Sequence, residues 1–127
     1  MRIPLILLAL SGCAGVGASP TASEGDALSR ELAGRVAGEA KSCVSAGQSD
    51  SLRAVDRQTL VYRDGRTRWV NRLRSACPGI EPMNTLIVEV TMSRYCSGDL
   101  VRGLEPGANI PGPTCVLGDF VPYRLPK

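Results

Sequence analysis

Five arginines lie close together in the middle of the chain, and their types and spacing suit the binding of anions. A guanidinium group can pair with phosphate or carboxylate oxygens through two parallel N–H donors. The five residues are Arg63, Arg66, Arg68, Arg72 and Arg74. They predict a surface for an anionic ligand or a partner protein. The alternative is a solvated strand face whose charges are balanced by Asp56, Asp64 and Glu89.

Two aspartates offer the main possibility of catalysis. Asp99 and Asp119 occupy equivalent places in two similar segments, 96–101 and 115–121. Two carboxylates that flank a cleft can perform acid–base chemistry, whereas an Asp beside a Gly commonly closes a turn through local hydrogen bonds. The chain has no His, which is the usual base near neutral pH and a common metal ligand. We therefore expect a non-enzymatic protein without catalytic residues, a metal site or a cofactor.

Four cysteines predict two disulfide bonds, which is the usual role of an even number of cysteines in an exported chain. They are Cys43, Cys77, Cys96 and Cys115, and the sequence leaves their pairing open. Zinc binding is the competing role, but no two of them have the short C-x₂₋₄-C spacing. The absence of a C-x-x-C motif also removes the visible basis for a redox-active thiol.

The fifth cysteine, Cys13, follows a short apolar run in the sequence Leu10-Ser11-Gly12-Cys13. This order is typical of a lipoprotein signal peptide, with residues 1–12 removed and Cys13 carrying the lipid. Residues 13–26 are small and polar and predict a flexible tether. We expect a periplasmic protein anchored to the outer membrane. The alternative is a soluble exported protein, cut by ordinary signal cleavage at Val16-Gly17-Ala18.

The composition predicts one small domain, over residues 27–127, which does not bind nucleic acid. The chain has 15 basic and 12 acidic side chains. Removal of residues 1–12 takes away Arg2 and no acid, so 14 basic residues remain against 12 acidic ones. This balance is far from that of a strongly basic nucleic-acid-binding domain. The oligomeric state is not predicted.

The elements that position these residues are mostly strands. We predict one helix over 27–41 and then five or six short strands, which favour a small antiparallel barrel or roll. Residues 58–63 and 66–73 flank Asp64-Gly65, a strong hairpin signal. A turn at these two residues places Arg63 opposite Arg66. It also places Leu60, Tyr62, Trp69 and Leu73 on the core face of the sheet, and the arginines with Val61 and Val70 on the other.

A later strand, over 86–92, alternates in hydrophobicity. The alternation predicts that Leu86, Val88, Val90 and Met92 point inward, whereas Glu89 and Thr91 point outward.

Residues 43–123 resemble a family of small exported proteins of unknown function from sphingomonad-like proteobacteria. The similar motifs are Cys43, Leu52-Arg53-Ala54-Val55-Asp56, Thr59-Leu60-Val61-Tyr62, Arg68-Trp69, Cys77-Pro78, Cys96-Ser97-Gly98-Asp99 and Cys115-x-Leu117-Gly118-x-Phe120-x-Pro122. These motifs consist of strand cores, cysteines and glycine turns. The resemblance therefore implies an exported domain and no catalytic residue.

Two functions are consistent with the sequence. The first is a lipid-anchored envelope domain that binds an anionic component or protein through the arginine face. The second is an inhibitor of lysozymes, because such inhibitors are often small, disulfide-bonded β-barrel lipoproteins. This second hypothesis is an analogy of size and location.

Overall fold

The computed structural model describes residues 22–46, 51–90 and 92–127. The predicted signal peptide, Cys13 and residues 13–21 of the predicted tether lie outside these ranges. The described elements, in chain order, are α1 (Ala22–Glu31), β1 (Val36–Ala37), β2 (Cys43–Ser45), β3 (Arg53–Ala54), β4 (Thr59–Asp64), β5 (Thr67–Arg72), β6 (Thr85–Val88), β7 (Arg94–Cys96), β8 (Leu100–Leu104), β9 (Cys115–Val116) and β10 (Phe120–Arg124).

The strands form three antiparallel sheets. The largest has the order β1-β10-β5-β4-β3, the second has the order β6-β8-β9, and the third pairs β2 with β7. This arrangement confirms a mainly β, antiparallel fold with one helix and disulfides. The sheets do not close into a barrel, and the described ranges contain ten strands rather than five or six. Several strands have only two or three residues, which is too short for hydrophobic alternation to reveal them.

The β4–β5 hairpin is the centre of the large sheet, and its turn lies one residue later than predicted. Asp64 pairs with Thr67, so the two loop residues are Gly65 and Arg66, and Arg63 faces Arg68 instead of Arg66. Gly65 has a φ of 57° and takes the first central position, as in a type II′ turn. The shift replaces each predicted cross-strand partner on β5 by the residue two positions further along the strand, which lies on the same face. The predicted division of residues between the two faces therefore stays correct.

The main core lies on the face of the hairpin that carries Tyr62 and Trp69. Leu60, Ile80, Val101, Leu117 and Phe120 are fully buried in this cluster. Tyr62 also meets Tyr95 of β7 edge to face, with the ring centroids 5.5 Å apart. The core thus joins the large sheet to elements of both smaller sheets.

Helix α1 covers the opposite face of the same hairpin. Leu28 and Leu32 pack against a second apolar cluster, formed by Val55, Val61 and Val70. The helix occupies 22–31 and not 27–41, so residues 22–26 of the predicted tether are helical. It ends before Gly34, whose φ of 73° suits a left-handed C-terminal cap. The described helix is not long and apolar enough to cross a membrane.

Strand β6 is shorter than the predicted strand over 86–92. Leu86 and Val88 pack against the main core as predicted. Val90 and Met92 lie beyond the end of the strand and are exposed, because the regular alternation of faces stops at Val88. The prediction that these two residues point inward is therefore wrong, and Thr91 lies outside the described residues.

Two disulfides join the elements, as predicted. One links Cys43 of β2 with Cys96, its partner on β7. The other links Cys77, which is buried just after β5, with Cys115 of β9. This pairing removes the zinc alternative for the four residues. The bonds also indicate an oxidising, non-cytoplasmic compartment.

Candidate functional site

The arginine face of the hairpin contains a carboxylate that the sequence did not predict there. Because α1 packs on this face, its last residue, Glu31, reaches the arginines of the neighbouring strands. The Glu31 side chain is only 11% exposed. It is therefore an internal counter-ion for the strand face.

Three guanidinium groups converge on Glu31. Arg63 of β4 donates from Nε to Oε1 at 2.8 Å and from Nη2 to Oε2 at 3.0 Å. Arg68 Nε lies 3.2 Å from Oε1, and Arg53 Nη2 of β3 lies 2.6 Å from Oε2. The like charges of Arg63 and Arg68, which are opposed in the β4–β5 register, are thus relieved by a residue of the same chain.

These contacts keep Glu31 ionised. The pKa of Glu31 is lowered from 4.5 to about 2; hydrogen bonding from Arg63 is the largest cause, while burial acts in the opposite direction. The contact with Arg53 adds to the lowering. At neutral pH the group is therefore a carboxylate, which neutralises one of the three positive charges that meet there.

Two further arginines adjoin this site. Arg35 follows the helix and donates from Nη1 to the backbone oxygen of Glu31 at 3.3 Å. Its Nε donates to the backbone oxygen of Arg66, in the hairpin turn, at 3.4 Å. We define the Glu31 cluster as Glu31, Arg35, Arg53, Arg63, Arg66 and Arg68. Among these described residues, even with Asp64 next to the turn included, the five arginines exceed the two acids by three charges.

Arg72 and Arg74, the other two predicted arginines, lie apart from the Glu31 cluster. Arg72 is exposed at the far end of β5, opposite Thr59. Arg74 follows the strand and donates from Nη2 to Ser97 Oγ at 3.4 Å. The predicted stripe of five arginines is therefore divided, and only Arg63, Arg66 and Arg68 belong to the Glu31 cluster.

Sequence reasoning missed Glu31, Arg35 and Arg53. Arg53 precedes Ala54 in β3, and its pairing with Val61 brings it beside the hairpin. The motif Leu52-Arg53-Ala54-Val55-Asp56, with a basic residue between apolar ones, was a weak signal for this position. No local pattern indicated Glu31 or Arg35, because their places depend on how the chain between α1 and β1 folds over the sheet.

The aspartate pair gives little support to catalysis. Asp99 Oδ2 accepts a hydrogen bond from the backbone N–H of Cys96 at 2.8 Å. The backbone N–H of Asp99 in turn donates to the Cys96 carbonyl oxygen at 3.0 Å. This is the local turn role, the alternative to catalysis, while Asp119 is exposed just before β10. Within the described ranges, no three His, Cys, Asp or Glu side chains are grouped as metal ligands would be.

Comparison with known proteins identified no relative of this chain. The resemblance to exported sphingomonad-like proteins stays a prediction. No protein-family model, curated protein or solved structure matches this chain.

Proposed function

We propose that the protein is a non-catalytic, lipid-anchored binding domain of the bacterial periplasm, held at the outer membrane through Cys13. We propose further that its Glu31 cluster binds an anionic group of the cell envelope. The signal-like residues 1–12, the position of Cys13 and the two disulfides support the location. The charge of the Glu31 cluster supports the binding role.

The proposed binding role rests on the excess of positive over negative charges in the Glu31 cluster. The chain as a whole has a formal net charge of +3, and the Glu31 cluster concentrates a similar excess beside one hairpin. An incoming phosphate or carboxylate would lower the mutual repulsion of these arginines, and it would receive charge-assisted hydrogen bonds.

The same contacts prepare the site for such a ligand. Glu31 holds the guanidinium groups of Arg53 and Arg63, yet these side chains remain 42% and 47% exposed. Side chains already ordered by the protein lose less conformational freedom when a ligand binds. Arg66 is exposed in the adjoining turn. An anion can therefore approach from solvent without displacing Glu31.

The experiment compares two double variants that remove the same charge. R35Q/R66Q changes the two arginines of the Glu31 cluster that do not contact the Glu31 carboxylate, and R72Q/R74Q changes the two arginines outside it. Binding to purified lipopolysaccharide, whose anions include phosphates, and to purified peptidoglycan, whose anions are carboxylates, is measured in separate assays. We expect R35Q/R66Q to weaken binding to one of these polymers by about tenfold.

The matched variant, R72Q/R74Q, is expected to bind within about twofold of the unaltered protein, because long-range charge effects are screened at physiological salt. Equal weakening by the two variants would mean that general positive charge, and not the Glu31 cluster, attracts the polymer. Absence of binding to both polymers by the unaltered protein would refute the proposal.

A further inference from the structure

A cleft whose lining includes none of the residues of the Glu31 cluster forms a second candidate site. It has a volume of about 470 Å³ and lies between the segment 78–84, the β8–β9 loop and the turn that contains Arg57. This volume is within the range of ligand pockets for small molecules. Its walls carry both polar side chains and apolar ones such as Ile110.

The cleft is formed by backbone segments that approach each other closely. A Cβ atom at Gly103 would overlap the carbonyl group of Gly79, and a Cβ at Gly112 would lie 3.3 Å from the Gly79 Cα. Gly112 N also donates to the Gly103 oxygen at 2.8 Å. The disulfide between Cys77 and Cys115 joins the bases of the two loops. The site is therefore built before any ligand arrives.

The charged groups of the walls are of both signs. Arg57 Nη2 donates to Glu81 Oε1 at 3.2 Å, with the two side chains 66% and 47% exposed. Glu105, on the other loop, forms no side-chain hydrogen bond or ion pair with the residues that the structure describes. The cleft thus offers a guanidinium group with further N–H donors and a carboxylate that has no such partner.

We propose that this cleft binds a small zwitterion of the class of short peptides. The ligand's ammonium group pairs with Glu105, and its carboxylate pairs with Arg57 beside Glu81. Asn84 supplies an amide whose Nδ2 is engaged by the Gly79 oxygen at 3.0 Å, so its orientation is fixed. Ile110, which is 84% exposed, covers the apolar side of the bound peptide.

The test uses trialanine in three forms: with both ends free, with an acetylated amino end, and with an amidated carboxyl end. Each form is titrated into the intact, disulfide-bonded chain while backbone amide shifts are recorded by NMR. We expect saturable shifts confined to 78–84, 103–113 and the turn around Arg57. Either capping group is expected to weaken binding about tenfold, because it removes one charge-assisted contact.

The variants assign each end of the peptide to one residue. E105Q should abolish the preference for the free over the acetylated amino end and keep the preference for the free carboxyl end. R57Q should have the reverse effect. E89Q, which removes an exposed carboxylate elsewhere, is the control and should bind all three forms like the unaltered chain.

Three results would overturn this proposal. One is the absence of saturable shifts with free trialanine at millimolar concentration, and the second is equal affinity for free and capped forms. The third is a set of shifts centred on the Glu31 cluster. The R35Q/R66Q variant should bind trialanine normally, so failure of the envelope-binding proposal and failure of this one are distinguishable.

Discussion

Glu31 links the helix to the sheet through charge, while its neighbours Leu28 and Leu32 do so through apolar contact. Its carboxylate meets the guanidinium groups of Arg53, Arg63 and Arg68. Without Glu31, the helix would still cover the apolar centre of this face, but the carboxylate that these three guanidinium groups share would be lost. The last residue of α1 therefore has a structural role, in addition to organising the proposed anion site.

We predict that E31Q makes the protein less stable at neutral pH and less sensitive to acid. Because the pKa of Glu31 in the folded protein, about 2, lies below its ordinary value of 4.5, ionised Glu31 stabilises the fold above pH 4.5. That stabilisation is lost as pH falls toward 2. The pKa shift sets an upper limit of about 3 kcal/mol on this contribution to the free energy of unfolding. Because solvent screens the ion pairs of the half-exposed arginines, we expect a contribution of ~1–2 kcal/mol.

The measurement is the free energy of unfolding from urea titrations between pH 7 and pH 2. The difference between unaltered protein and E31Q should be largest at pH 7 and should shrink through the window from 4.5 to 2. E39Q removes an exposed carboxylate nearby in the sequence and serves as the control. Its free energy of unfolding should be nearly the same as that of the unaltered protein. A constant difference between the E31Q variant and the unaltered protein across this window would contradict the assigned role.

Between elements, a close backbone contact lies where the β9–β10 connection crosses β5. Asn71 is fully buried, and its Nδ2 donates to the Gly118 oxygen at 2.7 Å. Its Oδ1 accepts from the Gly118 N–H at 2.9 Å. The Asn71 amide thus forms the two hydrogen bonds that the backbone of a neighbouring strand would otherwise form. It provides a partner for the backbone N–H and carbonyl oxygen of Gly118, and these in turn satisfy its own buried polar atoms.

We predict that G118A destabilises the fold by about 1–3 kcal/mol. An added Cβ would overlap the Arg72 carbonyl oxygen, so the connection would have to move away from β5 and lengthen the Asn71 hydrogen bonds. Urea unfolding measures the loss. G25A is the control, because nothing lies within 4 Å of a Cβ there and Ala favours a helix over Gly. Equal stability of G118A and the unaltered protein would contradict this packing.

The central hairpin shows how far sequence reasoning reaches at this scale. Hydrophobic alternation correctly assigned Tyr62 and Trp69 to the core face and Val61 and Val70 to the other. It did not fix the register, because moving the turn by one residue leaves the faces unchanged and the Asp-Gly signal fits two positions of the turn. The predicted opposition of Arg63 and Arg66 was wrong for this reason.

The other elements were less predictable because tertiary contacts define them. Strands β1, β2 and β9 are too short to show a periodic pattern, and their pairing depends on partners distant in sequence. The predicted helix extended past Gly34, but the helix ends at Glu31 and Gly34 has a positive φ. For the same reason the site was found only in part: three of its arginines were predicted, while the carboxylate that organises them comes from a separate element.

At the scale of the whole molecule, the two disulfides act at different places. Cys43–Cys96 connects two paired strands, with a sequence separation of 53. Cys77–Cys115 has a separation of 38 and connects the end of the large sheet to β9 of the three-stranded sheet. By restricting the unfolded chain, each bond should stabilise the protein by about 2–4 kcal/mol. Only the second joins the loops around the cleft.

We therefore predict that C77A/C115A and C43A/C96A lower the free energy of unfolding by similar amounts, about 2–4 kcal/mol each, but loosen different regions. In C77A/C115A, amide hydrogen exchange should accelerate at 78–84 and 105–113, because the covalent connection between these loops is lost. In C43A/C96A, acceleration should be confined to β2, β7 and their flanks.

Exchange is measured by mass spectrometry under conditions where both variants stay mostly folded. The comparison between them is its own control, since each lacks one bond and keeps the other. If both variants accelerated exchange equally throughout the chain, the sheets would unfold as one cooperative unit, and the Cys77–Cys115 bond would have no special role in keeping the cleft formed.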